Sequence, residues 1–192
     1  MALWTPENVN GTAMAMFYAP AGTTRPTDTV AFTGTLPSPW VNPGGTTEGY
    51  TIATSAEVTD WAIEEQDAPV KRRTSRQVAV RCTLAEATLE NFKLAIGGGT
   101  LASVVGSGSA PSRKSFRFSN TDDEIALMLL SQTLVDVDGD SVRLGLWVPR
   151  AQAGGSVEQA FRRLADYRKY ALDIAALCPS DEIESFELTA AA

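Results

Sequence analysis

Histidine is absent from this chain of 192 residues. The chain therefore lacks the side chain that most often acts as a general base, activates a nucleophile or binds a transition metal. Paired carboxylates could still do acid–base work, but the best pair, Glu64 and Glu65, is adjacent in sequence. Neighbouring side chains on a strand point to opposite faces and cannot flank one bond. We expect a protein that is not an enzyme, with no catalytic residue, no metal and no cofactor.

Cysteine is scarce. The chain has 2 cysteines, Cys82 and Cys178, which are far apart and form no CxxC motif. Cys82 falls on the apolar side of an alternating segment, so we interpret it as a small core residue. Nothing in the pattern requires a disulfide bond.

Long apolar runs and an excess of positive charge are missing as well. The longest apolar run, Ile125 to Leu130, is about a third of the length that crosses a bilayer. The first residues show no basic and apolar regions of a secretory signal. The net charge of −7 disfavours binding to DNA or anionic membranes, which reward clustered Lys and Arg. We expect a protein made and used without export, with no membrane partner.

What is present is mostly the pattern of β structure, with one helix. Apolar and polar residues alternate over Ser75–Leu84, which indicates a half-buried strand. Thr83 and Glu86 then have capping-box spacing, and the glycines starting at Gly97 supply a helix stop. The pattern predicts a helix over about 86–97. Its expected apolar face is formed by Leu89, Phe92 and Ile96.

Other segments are also short and strand-like. Ile125–Leu130 is apolar on both faces, which predicts a central, fully covered strand. The Gly- and Ser-rich stretch 100–115 is interpreted as a flexible loop. The remaining predicted strands are Met14–Ala19, Val30–Gly34, Phe116–Phe118, Val142–Val148 and Ile183–Leu188.

The segment 136–140 could be the start of a calcium loop or a hairpin turn. Asp136, Asp138 and Asp140 have the spacing of the first calcium ligands. The glycine comes one place early, however, and Trp147 stands where the loop needs its closing Glu. Asp-Gly between two apolar strands favours the hairpin turn.

Ser156–Leu177 fits two structures. Its apolar residues follow helical spacing, which by periodicity alone favours an amphipathic helix. Tyr170, Leu172 and Ile174 equally fit a strand that follows a turn at Ala165 and Asp166.

Residues 35–49 form an unusual loop, with three prolines and three glycines. Such a segment cannot be a central strand or helix, and long loops without structure are usually functional or interfacial. Trp40 lies in its middle. The side chain either folds back on its own domain or is buried against another chain, and we hypothesise the second. On that hypothesis the loop could be deleted without unfolding the domain.

Opposite charges are clustered around a predicted hairpin. The acidic cluster consists of Glu57, Asp60, Glu64, Glu65 and Asp67. The basic cluster that follows consists of Lys71, Arg72, Arg73 and Arg76. Cross-strand pairing within the hairpin is one explanation, and contact between complementary patches of two subunits is the other. The basic run is too short and too poor in aromatics for a nucleic-acid site.

In the order of these features the chain resembles the major tail tube proteins of long-tailed, siphovirus-like bacteriophages. The similarity covers most of residues 10 to 178. The similar motifs are Gly22-Thr23-Thr24-Arg25-Pro26, then Trp40, Asn42, Gly44, Glu48 and Gly49, then Asp67-Ala68-Pro69-Val70, and finally Leu84, Glu86 and Leu89. The family would have two strands in Ser156–Leu177, and we follow it there.

The resemblance implies an antiparallel β-sandwich or barrel-like subunit with one flanking helix. It implies a single domain over 1–192 with an N-terminal arm and a C-terminal extension. Six copies would close into a ring, and stacked rings would form a tube that conducts DNA during ejection. Partners would be further copies of the chain and the tape measure, terminator and distal tail proteins. The place would be the virion tail, assembled in the host cytoplasm.

Subunit contacts are expected at Trp40 and in the charged hairpin. The residues expected there are Trp40, Glu48, Asp67, Lys71, Arg72 and Arg73. Two alternatives stay open. One is another ring-forming phage component, such as a tail terminator, neck or head-decoration protein. The other is a ligand-binding β-sandwich that stacks sugars on Trp40, Trp61 or Trp147.

Overall fold

The computed structural model describes residues 13–61, 70–135, 140–154, 169–180 and 182–190. Within these ranges the chain is mainly β, as predicted, with antiparallel sheets and two short helices. The elements are β1 (Met14–Pro20), α1 (Asp28–Thr33), β2 (Thr46–Trp61), β3 (Val70–Leu84), α2 (Leu89–Ile96), β4 (Gly98–Val104), β5 (Arg113–Asp122), β6 (Ile125–Ser131), β7 (Leu134–Val135), β8 (Ser141–Ala153), β9 (Tyr170–Ala176) and β10 (Glu184–Ala190).

The main sheet has the order β1-β6-β8-β9-β3-β2, and β4 pairs with β5 in a separate two-stranded sheet. β8 is the central strand of the main sheet and pairs with several others. Its first part pairs with β10, from Ser141 to Trp147, and its last three residues pair with β9. β6 lies along its other side. The main sheet is not closed into a barrel.

β6 is the centre of the fold, as its apolar composition predicted. All seven of its residues are buried. Leu127 and Leu129 face an inner core shared with β3, β9 and α2. Met128 and Leu130 face an outer core on the opposite side. A strand covered on both faces needs apolar side chains at every position, which explains the unbroken apolar run.

β3 confirms the period-two prediction. Val80 and Cys82 lie in the inner core, while Arg81 between them is exposed. Both cysteines are free thiols. β9 packs beside β3 with its own alternation, which confirms the strand over 170–176 within the ambiguous segment. The rest of that segment, 155–168, lies outside the described residues.

α2 confirms the predicted helix but corrects its start. The helix begins at Leu89, with Thr88 rather than Thr83 as the N-cap, and the Thr88 hydroxyl accepts a hydrogen bond from the Asn91 amide at 3.1 Å. Thr83 continues β3 because its backbone is paired with Ala171 of β9. Gly97 ends the helix in the left-handed region, with φ 79°.

The buried face of α2 also differs from the predicted one. The buried residues are Asn91, Leu94 and Ala95, whereas Leu89, Phe92 and Ile96 are only half-buried. The helix therefore lies on the sheet through a face rotated from the expected one.

α1 occupies a segment predicted as turn and strand, so that prediction is wrong. Residues 28–33 form a six-residue helix that Gly34 ends in the left-handed region, with φ 72°. No side-chain hydrogen bond caps its N-terminus at Thr27. Ala31 is fully buried in the outer core. Packing against β6, rather than local propensity, therefore selects this helix.

The predicted loop 100–115 is likewise corrected, because β4 extends to Val104 and pairs with β5. The strands predicted near Met14, Phe116, Val142 and Ile183 are confirmed as parts of β1, β5, β8 and β10. The predicted turn residues 136–139 lie outside the described part. β7 and β8, which flank them, pair antiparallel as a hairpin requires.

Candidate assembly surfaces

Trp40 is buried inside its own subunit. Its side chain is only 8% exposed and meets the Trp147 ring edge-on, with 5.6 Å between ring centroids. Leu36 and Ala31 complete the cover that α1 and the loop make over the outer face of β6. The hypothesis that Trp40 is buried on a neighbouring chain is corrected, because its apolar surface is already used here. For the same reason, neither Trp40 nor Trp147 offers an exposed platform for sugars.

The loop that carries Trp40 is tied to the body at several points. Val41 and Tyr18 of β1 exchange two backbone hydrogen bonds of 2.9 Å, so the loop does join the sheet edge at one bridge. The buried Asn91 amide donates to the Pro43 carbonyl oxygen at 2.7 Å. Gly44 has φ 97° and faces the Glu86 carboxylate so closely that a Cβ would collide with it. Deleting this loop would uncover the outer core, which contradicts the expectation that the domain would fold without it.

The exposed features lie elsewhere, first in a long two-stranded arm. β9 covers β3 only from Ala79 to Leu84, whereas β2 continues to pair with β3 as far as Trp61 and Val70. We call residues 54–61 and 70–78 the β2–β3 arm. At about 3.3 Å per residue it is roughly 30 Å long. An isolated two-stranded ribbon is marginally stable in water, so such an arm gains from a partner.

The register brings together part of the predicted interface. Asp60 is directly opposite Lys71, Thr59 opposite Arg72, and Val58 opposite Arg73. Of these three pairs, Asp60–Lys71 alone brings an acidic residue opposite a basic one, so the register supports cross-strand charge pairing at one position. Arg73 is exposed, and Val58 is 54% exposed. The basic residues therefore share one arm. Residues 62–69, which include Glu64, Glu65 and Asp67, lie outside the described part of the chain.

Glu48 does not belong to the same surface as the basic residues. It is exposed near the start of β2, between the pairs Thr46–Leu84 and Tyr50–Cys82. The predicted loop 35–49 is therefore corrected at its end, because residues 46–49 belong to β2. Ten residues of strand separate it from Val58, roughly 33 Å at the usual rise. The predicted site residues thus fall into three places: the core for Trp40, the base of β2 for Glu48, and the arm for Lys71, Arg72 and Arg73.

A second exposed feature, the β4–β5 hairpin, was missed by sequence reasoning. One face of the hairpin packs on α2, where the rings of Phe92 and Phe116 lie edge-on with 5.1 Å between their centroids. The Phe118 ring lies edge-on to the Phe92 ring, with 6.1 Å between ring centroids, yet the Phe118 side chain is 75% exposed. Val104 and Val105, at the far end of the hairpin, are 52% and 84% exposed. The available signal was the alternation of Phe and Arg in β5, which predicts a strand with two unlike faces.

Two exposed ion pairs lie near the hairpin and at the start of β6. Lys114 of the hairpin donates to Glu90 of α2 at 2.8 Å, and this hydrogen bond lowers the pKa of Glu90. Arg150 of β8 binds Glu124 through three contacts of 2.8 to 3.0 Å. The hydrogen bonds from Arg150 lower the pKa of Glu124. Both pairs are exposed to water, so each contributes little to folding.

One cleft among the described residues is a poor candidate for chemistry. It has a volume of about 510 Å³ and lies between α2, the end of β1 and the start of β6. Lys93 and Asp123 close an ion pair of 2.8 Å at its rim. Burial, and next the charge of Glu90, raise the pKa of Tyr18 in its wall. A protonated phenol is a poor nucleophile, and four charged residues of the wall, Glu90, Lys93, Asp123 and Glu124, are held in ion pairs.

Other titratable groups also point to structural roles. Burial raises the pKa of Cys82 to about 11, so this thiol stays protonated and unreactive at neutral pH. Burial likewise raises the pKa of Tyr50 to about 12. In the described part of the chain, no three His, Cys, Asp or Glu residues are grouped so as to hold a metal ion. None of the described helices has the length and apolar character to cross a membrane.

The described residues thus define a mainly β, antiparallel protein whose exposed features are strand edges, an arm and a hairpin. The family model of the phage tail tube protein matches residues 2–165, and the chain belongs to that family. It is therefore a structural component of the virion tail. A search of the curated proteins found no match.

Proposed function

We propose that the protein is the repeating subunit of a phage tail tube, in which rings of six copies stack and conduct DNA during ejection. The number six and the long-tailed, siphovirus-like type rest on the resemblance of the loops around Gly22, Trp40 and Pro69 to that family. The matched family model supports the tube itself. The subunit acts by assembly and not by catalysis.

The observation that carries the proposal is the contrast between a closed body and open edges. Both faces of β6 are covered within one subunit. In the described ranges, by contrast, β2 pairs only with β3, and β10 pairs only with β8. Unpaired strand edges invite association, and a ring of identical subunits removes them. Head-to-tail interfaces generate such rings, and rings with unlike faces can stack.

The charge of the subunit suits a conduit for DNA. Six copies at −7 each carry −42 per ring. Carboxylates that face a central channel would repel phosphates, and a repelled strand slides rather than binds. The partners we propose are further copies of the chain along the tube and the tape measure, terminator and distal tail proteins. Assembly takes place in the host cytoplasm.

Electron microscopy of the purified protein tests the proposal directly. We expect tubes built of stacked rings, with six-fold symmetry in end views. Mass spectrometry of purified virions should show this chain among the most abundant proteins. A chain that stays monomeric at every concentration, or that is present at a few copies per virion, would overturn the proposal. The second result would instead favour a terminator or neck protein.

A further inference from the structure

Positive and negative charge are separated along this chain. Every charged residue between Asn91 and Thr121 is basic, namely Lys93, Arg113, Lys114 and Arg117. Every charged residue from Tyr170 to Ala192 is acidic, namely Asp173, Asp181, Glu182, Glu184 and Glu187. The basic segment contains β4 and all of β5 except its last residue, Asp122, and the acidic segment contains β10. An acidic chain thus has one hairpin of the opposite charge.

Two arginines of the hairpin point away from the body. Lys114 is already paired with Glu90. Arg113 and Arg117 are directly opposite Val104 and Thr100, and they alternate with Phe116, which packs on α2. Both arginines are exposed, and no carboxylate among the described residues pairs with either. We call the side of the hairpin that bears them, with Val104, the outward face.

The acidic segment has unpaired carboxylates of its own. Glu184 lies 3.3 Å from Arg25, so its charge is matched. Glu187 alternates with Phe186 and Leu188, which pack toward the outer core, and it is exposed. Glu182 is exposed just before β10. In the described part of the chain neither Glu182 nor Glu187 forms an ion pair, although the charge of Glu182 is among the causes that raise the pKa of Arg150 in β8. We call these two residues and the free edge of β10 the acidic edge.

The base of the hairpin and Glu187 of the acidic edge lie toward opposite ends of β8. Gly97, at the base of the hairpin, abuts the carbonyl oxygen of Ala153 at one end. Glu187 is paired with Leu144 near the other end. Nine residues of strand separate these positions, roughly 30 Å at the usual rise. Among the described residues no ion pair joins Arg113 or Arg117 to Glu182 or Glu187, so the partner we consider for each surface is a second copy of the chain.

We propose that the outward face of the hairpin in one copy docks on the acidic edge of a second copy. This contact is heterologous and repeats from copy to copy, and it rests on the proposed tube. Two hairpins cannot dock on each other, because their arginines repel. Electrostatic complementarity sets the orientation, while the exposed Val104 and Val105 supply apolar area to bury.

Charge reversal on each side tests the contact. We expect Arg113→Glu with Arg117→Glu to stop assembly, and Glu182→Arg with Glu187→Arg to stop it as well. Mixing the two variants in equal amounts should restore assembly, because each then presents the charge that the other needs. The matched control, Arg113→Lys with Arg117→Lys, keeps the charge and should assemble. Circular dichroism checks that every variant is folded.

The outcomes separate this contact from the proposed function. If the wild type and both reversal variants form tubes alike, the docking contact is wrong and the tube stands. If the wild type forms no tubes, both ideas fail. If each variant is folded and blocked but the mixture does not assemble, the two surfaces do not face each other and the contact is wrong. Should the doubly reversed hairpin not fold, Arg113→Gln with Arg117→Gln removes the positive charge without reversing it and should weaken assembly. Assembly equal to that of the wild type would then show that the contact is wrong.

Discussion

The strand β6 and the β2–β3 arm are both regular antiparallel structure, yet their surroundings differ completely. Each of the seven residues of β6 is buried, between β1 and β8 and between two cores. In the arm, Thr54 to Val58 are exposed, and among the described strands β3 has one neighbour there instead of two. The subunit therefore buries its central strand by itself, whereas the surface of its arm is exposed and available to other molecules. Mutations should therefore divide into those that unfold the subunit and those that only prevent assembly.

The largest effect on folding should come from Trp40. We expect Trp40→Ala to lower the free energy of unfolding by about 3–5 kcal/mol, because a large buried side chain is lost and a cavity remains. Urea denaturation of the unassembled subunit measures it. Phe118→Ala is the matched aromatic control and should cost less than about 0.5 kcal/mol, since Phe118 is 75% exposed. Equal costs for the two variants would break the comparison between centre and periphery.

Asn91 should come next. It is 2% exposed, and its amide donates to the carbonyl oxygens of Pro43 and Glu86 at 2.7 and 2.9 Å. Asn91→Ala leaves both oxygens without this donor, so we expect a loss of about 1–3 kcal/mol. Thermal denaturation checks the loss. A wild-type melting temperature in this variant would show that the loop is not held to α2 through Asn91.

The cap of α2 should have a smaller effect. Thr88→Ala removes the hydroxyl that accepts a hydrogen bond from the backbone N–H of Asn91. We expect this to lower the free energy of unfolding by about 1 kcal/mol. Thr88→Ser keeps the hydroxyl and serves as the control. If both variants lose the same stability in denaturant, the hydroxyl is not the cause.

Sequence reasoning succeeded where local pattern and burial agree. The alternation of β3 and the apolar run of β6 each predicted a strand and its covered faces. It failed where tertiary contacts decide. Residues 28–33 have little helix propensity, and only the outer core makes them helical. Thr83 and Glu86 have capping spacing, but the pairing of Thr83 with β9 moves the cap to Thr88.

The candidate surfaces show the same limit. Sequence alone identified the charged clusters, and the register now pairs Asp60 with Lys71. The sequence could not show that Trp40 packs against Trp147, because the two residues are far apart in the chain and only the fold brings them together. It also could not show that Arg113 and Arg117 share an outward face, since that depends on the register of β4 with β5.

The smallest effect should be a pH dependence at Glu124. Its pKa in the folded state lies below the ordinary value of 4.5, because Arg150 donates hydrogen bonds to the carboxylate. A depressed carboxyl pKa adds stability above the unfolded-state pKa, and this stability is lost as the pH falls through the folded-state pKa. We expect Glu124→Gln to melt slightly below the wild type at neutral pH and together with it in acid. A difference that grows in acid would contradict this sign.

Hydrogen–deuterium exchange of the free subunit and of the assembled protein tests the central claim most directly. We predict that β6, β8 and the loop around Trp40 are protected to the same degree in both states. The β2–β3 arm and the β4–β5 hairpin should exchange quickly in the free subunit and become protected on assembly. Protection that appears first at the Trp40 loop, with the arm and hairpin unchanged, would contradict the account.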